Sequence, residues 1–207
     1  MSLAMEFWNS ELTEKSWQVL QQLKKEYNFV LIGGWAVYLL AKQQKSKDID
    51  IVIDLIELEK LKSQNLSKND KLSKYEIKKG EIDIDIYVPY FSKLCIPLEK
   101  INSYSEKIEG FNIISKEALI ILKQDAEISR RNSIKGEKDK VDIVSLLLFT
   151  DFNFKKYVDF LKEFKKENFV NELIHIVKNF NDFNKVNLTP PELKKKKRDL
   201  LIKLKNL

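Results

Sequence analysis

Two segments in which acidic and apolar residues alternate constrain the fold more than any other feature of this chain. Residues 48–54 read Asp-Ile-Asp-Ile-Val-Ile-Asp, and residues 81–88 read Glu-Ile-Asp-Ile-Asp-Ile-Tyr-Val. A period of two predicts β-strands, because successive side chains of a strand point to opposite faces of a sheet. We therefore expect a sheet that buries isoleucines on one face and carries a row of carboxylates on the other.

Glycine is scarce, with five in 207 residues, and two of the five are adjacent, Gly33 and Gly34. They follow the apolar segment 29–32, which is typical of a buried strand, and precede the apolar segment 35–41, which is typical of a buried helix. The pair therefore marks a strand-to-helix turn. Backbone N–H groups at the start of a helix bind phosphate, and glycine lets the phosphate approach the backbone closely.

The rest of the chain divides into a half with strands and a half without. The patterns predict further strands near 75–78 and 108–114, and helices over 11–27, 55–66, 116–131, 137–149, 151–166 and 168–181. A final helix begins at a capping box that starts with Thr189 and has proline at its first position. The order predicts an α+β fold, in which a mixed sheet with flanking helices (residues 1–110) precedes a C-terminal helical region (residues 111–207).

Composition excludes several classes of protein. No apolar run approaches the ~20 residues that a membrane-spanning helix needs, and no secretion signal is visible, so we expect a cytoplasmic protein without a membrane span. The chain has one cysteine and one histidine, which excludes an internal disulfide and a cysteine-built zinc site and disfavours a Ser-His-Asp triad. Enzymatic chemistry would have to rest on carboxylates, lysines and arginines.

The acidic strands suggest a metal site. Asp48 and Asp50 are two residues apart and project side by side, and carboxylates this close repel each other unless a cation lies between them. Carboxylate oxygens favour Mg²⁺ or Mn²⁺, and a third carboxylate from the second strand, Asp83 or Asp85, would complete a site for two metal ions. The alternative is that these acids only line the solvent face of amphipathic strands.

Two blocks of sequence are similar to known nucleotidyltransferases. The first, Gly33-Gly34-Trp35-Ala36 followed by residues 46–51, Ser-Lys-Asp-Ile-Asp-Ile, resembles the signature of the polymerase-β-like nucleotidyltransferase superfamily. The second, which contains Lys123, Arg130 and residues 138–143, Lys-Asp-Lys-Val-Asp-Ile, resembles the group related to AbiEii toxins of abortive-infection and toxin–antitoxin systems. Together the blocks cover roughly residues 28–148.

The resemblance implies roles for individual residues. It implies that the nucleotide is bound by five residues, which are Gly33, Gly34, Ser46, Lys123 and Arg130. It implies binding of Mg²⁺ or Mn²⁺ by Asp48 and Asp50, with Asp85 as the third catalytic carboxylate and Asp83 as its rival. Asp85 is preferred because the Ile-Tyr-Val-Pro that follows it resembles the family's ending. Lys138, Asp139 and Asp142 would form a secondary motif.

The activity implied is transfer of a nucleoside monophosphate from an NTP to an acceptor such as RNA or a protein. The second block implies a toxin that acts with an antitoxin partner. The alternative is a non-catalytic module on the same fold that binds nucleic acid or protein through a basic tail, since residues 189–207 carry seven basic and two acidic side chains. That tail could instead be a solvated helix face. Gln44 stands where many relatives have arginine, which leaves the substrate open.

Overall fold

One mixed sheet organises the first part of the chain. The computed structural model describes residues 3–207, with side chains from Ser10 onward. The seven strands of the sheet are β1 (Val30–Ile32), β2 (Ile49–Val52), β3 (Ser67–Asn69), β4 (Lys74–Lys79), β5 (Ile82–Tyr87), β6 (Ser105–Ile108) and β7 (Phe111–Ile114), in the spatial order β3-β4-β5-β2-β1-β7-β6. The pairs β2–β5 and β1–β7 are parallel, and the other neighbours are antiparallel.

Helices flank the sheet in sequence and fill the second half of the chain. They are α1 (Leu3–Glu26), α2 (Gly33–Ala41), α3 (Leu55–Leu61), α4 (Lys116–Arg130), α5 (Ile134–Phe149), α6 (Phe154–Glu163), α7 (Phe169–Asn179) and α8 (Pro190–Lys205), with 3₁₀ segments at Leu98–Tyr104 and Asn184–Val186. The prediction of an α+β fold with a mixed sheet and a C-terminal helical region is confirmed. Across residues 3–207, no helix is both long and apolar enough to cross a bilayer.

The chain forms two compact units, the first ending at Ile114 and the second beginning at Ser115. The sequence pattern predicts this division after residue 110. The difference arises because β7 pairs with both β1 and β6, and so completes the sheet of the first unit.

The alternating isoleucines and aspartates of β2 and β5 lie on opposite faces of the sheet, as predicted. On one face the isoleucines are buried, as Ile49, Ile51 and Ile86 show with no measurable exposure. On the other face Asp50 and Asp85 are only partly buried. The burial of this isoleucine face stabilises the sheet, since each fully buried apolar side chain contributes about 1.5–3 kcal/mol.

Several element boundaries differ from the sequence prediction. The predicted helix over 55–66 ends at Leu61, and the single strand predicted over 108–114 is a hairpin of β6 and β7. The helices predicted over 11–27, 137–149 and 151–166 are Leu3–Glu26, Ile134–Phe149 and Phe154–Glu163. Asp54, which alternation would place on the same face as Asp48 and Asp50, lies beyond the end of β2 and is the N-cap residue of α3. Its carboxylate accepts a hydrogen bond from the backbone N–H of Glu57 at 2.8 Å, as expected of an N-cap residue.

Candidate active site

The register between β2 and β5 brings two of the predicted carboxylates together. The strands are parallel neighbours in which Asp50 lies directly opposite Asp85. Residues that face each other across adjacent strands project to the same side of the sheet, so the two carboxylates are neighbours. Asp83 lies before the first β2–β5 pair, Ile49 with Ile84, and faces Lys78 at 3.8 Å with a half-exposed side chain.

Gly33 makes direct contact with the carboxylate of Asp50. Strand β1 pairs with β2 so that Ile32 is opposite Asp50, and the next residue, Gly33, begins α2 with a φ of +67°. A Cβ built on Gly33 would lie 2.0 Å from Oδ2 of Asp50. Only glycine fits here, because the left-handed conformation disfavours a side chain and Asp50 fills the space that a side chain would need.

The start of α2 has the features of a phosphate-binding turn. Its N-cap residue is Ile32, which has no side-chain atom that can cap the helix, and its first turn contains no acidic residue. The first backbone N–H groups of a helix lack partners within the helix and carry a partial positive charge. Gly34 is buried in this turn, and Ser46, in the loop that precedes β2, is 3% exposed.

Two residues outside the predicted site, Lys74 and Glu76, complete the surroundings of Asp85. Nζ of Lys74 lies 2.6 Å from Oδ2 of Asp85 and 3.0 Å from Oε1 of Glu76. Both residues come from β4, where Glu76 pairs directly with Asp85. Strands β4 and β5 form an antiparallel hairpin with a short turn, and the register of such a hairpin is set by its turn.

The pKa values of Asp85 and Lys74 reflect this environment. Burial raises the pKa of Asp85, the hydrogen bond from Lys74 opposes it, and the charges of Glu76 and Asp48 add to the rise. Burial lowers the pKa of Lys74, but its hydrogen bonds to Asp85 and Glu76 outweigh burial, so that its pKa is raised. The carboxylate cluster therefore already contains an ammonium group that stays charged.

The donor set fits one divalent cation better than a closed metal cage. Among the side chains described from Ser10 onward, no three carboxylate, histidine or cysteine groups converge closely enough to hold a metal ion. Asp48 and Asp50 offer the hard oxygen donors that Mg²⁺ prefers, and Mg²⁺ usually takes one or two carboxylates and completes its shell with phosphate oxygens and water. Asp85, by contrast, is already compensated by Lys74.

Comparison with known proteins identifies the fold. No protein-family profile and no curated protein sequence matches the chain. A candidate nucleotidyltransferase from H. pylori matches 100% of this chain and 98% of its own, with a TM-score of 0.50 and 20% sequence identity. JHP933 from Helicobacter pylori matches 100% of this chain and 95% of its own, with a TM-score of 0.50 and 19% identity. The chain has a nucleotidyltransferase fold.

Two members of the secondary motif, Asp139 and Asp142, form a largely buried ion-pair cluster with Lys123 and Arg130 in the second unit. Nζ of Lys123 lies 2.6 Å from Oδ2 of Asp142 and 3.2 Å from Oδ1 of Asp139, and Nη2 of Arg130 lies 2.7 Å from Oδ2 of Asp139. Lys123 and both aspartates are less than 9% exposed, whereas Lys138 is exposed. The two cations and the two carboxylates thus neutralise one another, and the assignment of Lys123 and Arg130 to the nucleotide stays a prediction.

Removal of one member of this cluster should be costly. We expect Lys123→Met to lower the free energy of unfolding by about 3–5 kcal/mol, because it leaves the buried carboxylate of Asp142 without its cation. The matched control is Lys138→Met, which changes an exposed lysine and should alter stability by no more than about 0.5 kcal/mol. Urea unfolding followed by circular dichroism measures both. Equal losses in the two variants would contradict the buried ion pair.

The seven basic side chains of α8 divide into one that packs and six that are exposed. Nζ of Lys197 donates hydrogen bonds to the backbone carbonyls of Lys178, at 3.1 Å, and of Phe180, at the end of α7. A cation at a helix C-terminus stabilises that helix. The exposed ones are residues 194–196, Arg198, Lys203 and Lys205. A structural role therefore accounts for Lys197, and binding of a polyanion stays a prediction for the others.

Proposed function

We propose that this protein is a Mg²⁺-dependent nucleotidyltransferase, which transfers a nucleoside monophosphate from an NTP to an acceptor. The observation that carries the proposal is the convergence of Gly33, Asp50 and Asp85. Gly33 contacts the carboxylate of Asp50, and Asp50 is in direct register with Asp85. A glycine turn at a helix start and a row of carboxylates are the two parts that binding of a metal–triphosphate complex requires.

Each part of the site has a defined task in this proposal. The backbone N–H groups at the start of α2 would hold the triphosphate, and Ser46 would contact it from the loop before β2. Asp48 and Asp50 would hold the cation. When bound, Mg²⁺ would neutralise phosphate charge and stabilise the charge that develops on the transferred group. Asp85 would orient the acceptor hydroxyl next to Asp50, so that catalysis rests mainly on positioning and electrostatics.

The bonds changed in the transfer are few. The acceptor hydroxyl oxygen forms a bond to the α-phosphorus, the bond from that phosphorus to the bridging oxygen breaks, and pyrophosphate leaves. The hydroxyl proton passes to a carboxylate of the cluster. Three carboxylates and no histidine at this site make it suited to this chemistry rather than to acyl transfer.

The direct test is label transfer. The protein is incubated with each of the four NTPs, labelled at the α-phosphate, together with Mg²⁺ and either total RNA or total protein from a bacterial cell. Label that becomes attached to one acceptor class identifies both the nucleotide and the acceptor. Absence of transfer with every NTP, while the protein binds polyanions, would favour the alternative of a non-catalytic binding module.

The register predicts different effects for the two candidate third carboxylates. We expect Asp85→Asn to lower the rate of transfer by about 10²–10³-fold, because it removes a charge beside the reacting groups. Asp83→Asn is the matched control, since Asp83 is half exposed and lies before the β2–β5 pairing; its effect should be below about tenfold. Single-turnover rates with labelled NTP measure both, and the reverse ranking would assign the role to Asp83.

We further propose that the physiological role is that of a toxin controlled by an antitoxin partner. The proposal rests on the resemblance of the second sequence block to AbiEii-related proteins. In this chain the charged residues of that block pair as Lys123 with Asp142 and Arg130 with Asp139. Controlled expression in a bacterial host tests it. Growth arrest by the wild type, and normal growth with Asp50→Asn at the same protein level, would support a toxic transferase activity.

A further inference from the structure

An open groove with a volume of about 540 Å³ lies along one side of α8, and the proposed reaction does not use it. Its opposite wall is the segment that follows α7, through Asn181 and Phe183. All of the residues that line it belong to the second unit of the chain. Cavities of about 300–1,000 Å³ hold small ligands or the anchoring side chains of a docked segment. The size of the groove is therefore that of a binding site.

The sides of α8 differ in what they contact. On one side its leucines are buried in the second unit, as Leu200 and Leu204 show with exposures of 7% and 1%. On a second side Nζ of Lys203 lies 5.9 Å from the centre of the Phe154 ring. The third side lines the groove, and there Ile202 is 55% exposed. An exposed isoleucine in a groove is apolar area that a partner can bury.

The side of α8 that lines the groove carries basic residues on both sides of an apolar centre. Residues spaced four, three and four positions apart follow one stripe of this side, and they are Lys194, Arg198, Leu201 and Lys205. Ile202 lies next to Leu201 and widens the apolar centre. With a rise of 1.5 Å per residue, Lys194 and Lys205 are about 16 Å apart along the helix axis. The groove therefore presents an apolar centre with cations towards both ends.

The cations of the groove are weakly compensated. None of the described residues that line it is acidic. Among the described side chains, neither Lys194 nor Lys205 forms an ion pair, and Nε of Arg198 approaches Asp199 only to 3.6 Å in an exposed pair. Exposed pairs of this kind contribute little. Lys197 is different, because its ammonium is already bound to the carbonyls at the end of α7. Lys194, Arg198 and Lys205 are thus the cations that can meet an anionic partner.

The lining favours a protein segment over a nucleic acid. Single-stranded RNA binds through cations and through bases that stack on aromatic rings. The apolar lining here is mainly aliphatic, and Phe183 is the one aromatic residue among the described residues of the groove. Aliphatic area is best buried by apolar side chains of a partner, and the flanking cations are best neutralised by carboxylates. The length of the stripe, about three helical turns, suits the binding of an amphipathic helix in a groove.

We propose that the groove of α8 is a docking site for an acidic amphipathic helix of a partner protein. Apolar side chains of that helix lie against Leu201 and Ile202. Its carboxylates pair with Lys194 and Arg198 towards one end of the groove and with Lys205 towards the other. The groove belongs to the second unit, so this proposal does not depend on the carboxylate site or on the proposed transfer reaction.

Fluorescence anisotropy of a synthetic peptide tests the proposal with the full chain. The probe is a labelled helix of about 15 residues, with leucines along one side and glutamates at both edges of that side. One control peptide has the same composition in scrambled order, and a second has glutamine in place of every glutamate. We expect the probe to bind at least about tenfold tighter than either control, and its affinity to fall as salt rises. Equal binding by the probe and either control, or no binding at about 1 mM, overturns the proposal.

Variants of the chain locate the binding. Arg198→Glu should weaken binding of the probe by about tenfold or more, because it reverses a charge of the groove. Lys203→Glu is the matched control, since it makes the same change of charge on the side of α8 that lies over Phe154, and it should alter Kd by less than about threefold. Ile202→Ser removes apolar area without a change of charge and should weaken binding by about fivefold or more. Equal effects of the two charge reversals, or unchanged binding by Ile202→Ser, overturn the proposal.

Competition experiments separate the protein partner from other anionic ligands. A mixed-sequence RNA oligonucleotide, and vesicles of phosphatidylserine and phosphatidylcholine, should displace the probe only at concentrations well above that of the unlabelled peptide. Displacement by either one at a lower concentration would assign the groove to a nucleic acid or to a membrane surface and overturn the proposal. Asp50→Asn should bind the probe as the wild type does, because Asp50 lies in the first unit. A failure of the transferase proposal therefore leaves this one intact, and the reverse holds as well.

Discussion

Gly33→Ala is expected to abolish metal-dependent NTP binding and to lower the free energy of unfolding by about 2–5 kcal/mol. The added Cβ would lie 2.0 Å from Oδ2 of Asp50, and the φ of +67° is unfavourable for any residue with a side chain. Either Asp50 moves away from the position that holds the cation, or the turn itself changes. Urea unfolding and nucleotide titration in the presence of Mg²⁺ measure the two effects separately.

Gly80→Ala provides the control for backbone strain alone. Gly80 also has a positive φ, of +61°, but a Cβ there would have no heavy atom within 4 Å. Its substitution should therefore cost only about 1–2 kcal/mol and leave NTP binding unchanged. The double variant Gly33→Ala/Asp50→Ala should lose less stability than the sum of its single variants, because the collision requires both side chains. Equal effects of the two glycine substitutions would contradict the contact with Asp50.

Asp50→Asn should lower nucleotidyl transfer by about 10³-fold or more, since it removes a charge from the centre of the site. The variant should retain its fold, because asparagine has the same shape as aspartate and Asp50 lies on the partly exposed face of β2. It should also weaken the stabilisation that Mg²⁺–NTP confers by mass action. Single-turnover transfer and melting curves with and without Mg²⁺–NTP measure these effects.

The control for Asp50→Asn is Asp54→Asn, four residues along the chain. Asp54 caps α3 through a hydrogen bond from the N–H of Glu57, and asparagine is an equally good cap. The two substitutions are chemically identical, yet only the first should affect transfer. Retention of Mg²⁺–NTP binding at wild-type affinity by Asp50→Asn would show that the cation binds elsewhere.

Features that depend on a few neighbouring residues were predictable from the sequence. The alternation in 48–54 and 81–88 predicts both strands and assigns each isoleucine and aspartate to its face, because side-chain direction in a strand depends only on its period. The strand-to-helix turn at Gly33 and Gly34 is also predictable, because it depends only on the glycine pair and the apolar segments on either side of it. The capping box at Thr189 is also local, and the structure contains it at the start of α8.

Features that depend on strand pairing needed the folded chain. Asp83 and Asp85 are rivals for the third carboxylate in the sequence, because both share one face of β5 and local periodicity cannot separate them. The pairing of β5 with β2, whose sequences are more than 30 residues apart, is what sets Asp85 beside Asp50. A shift of β5 by one residue in that register would have moved Asp83 and Asp85 to the opposite face of the sheet.

The most specific features of the site are contacts between segments that are distant in sequence. Nothing in residues 33–36 indicates that Asp50 packs against Gly33, and nothing in residues 74–76 by themselves indicates that their lysine and glutamate meet Asp85. The same holds for Lys123 and Arg130, whose seven-residue spacing predicts a shared helix face but not the aspartates that this face meets. Periodicity specifies which way a side chain points, whereas its partner depends on how strands and helices pack, and that packing is a property of the whole unit.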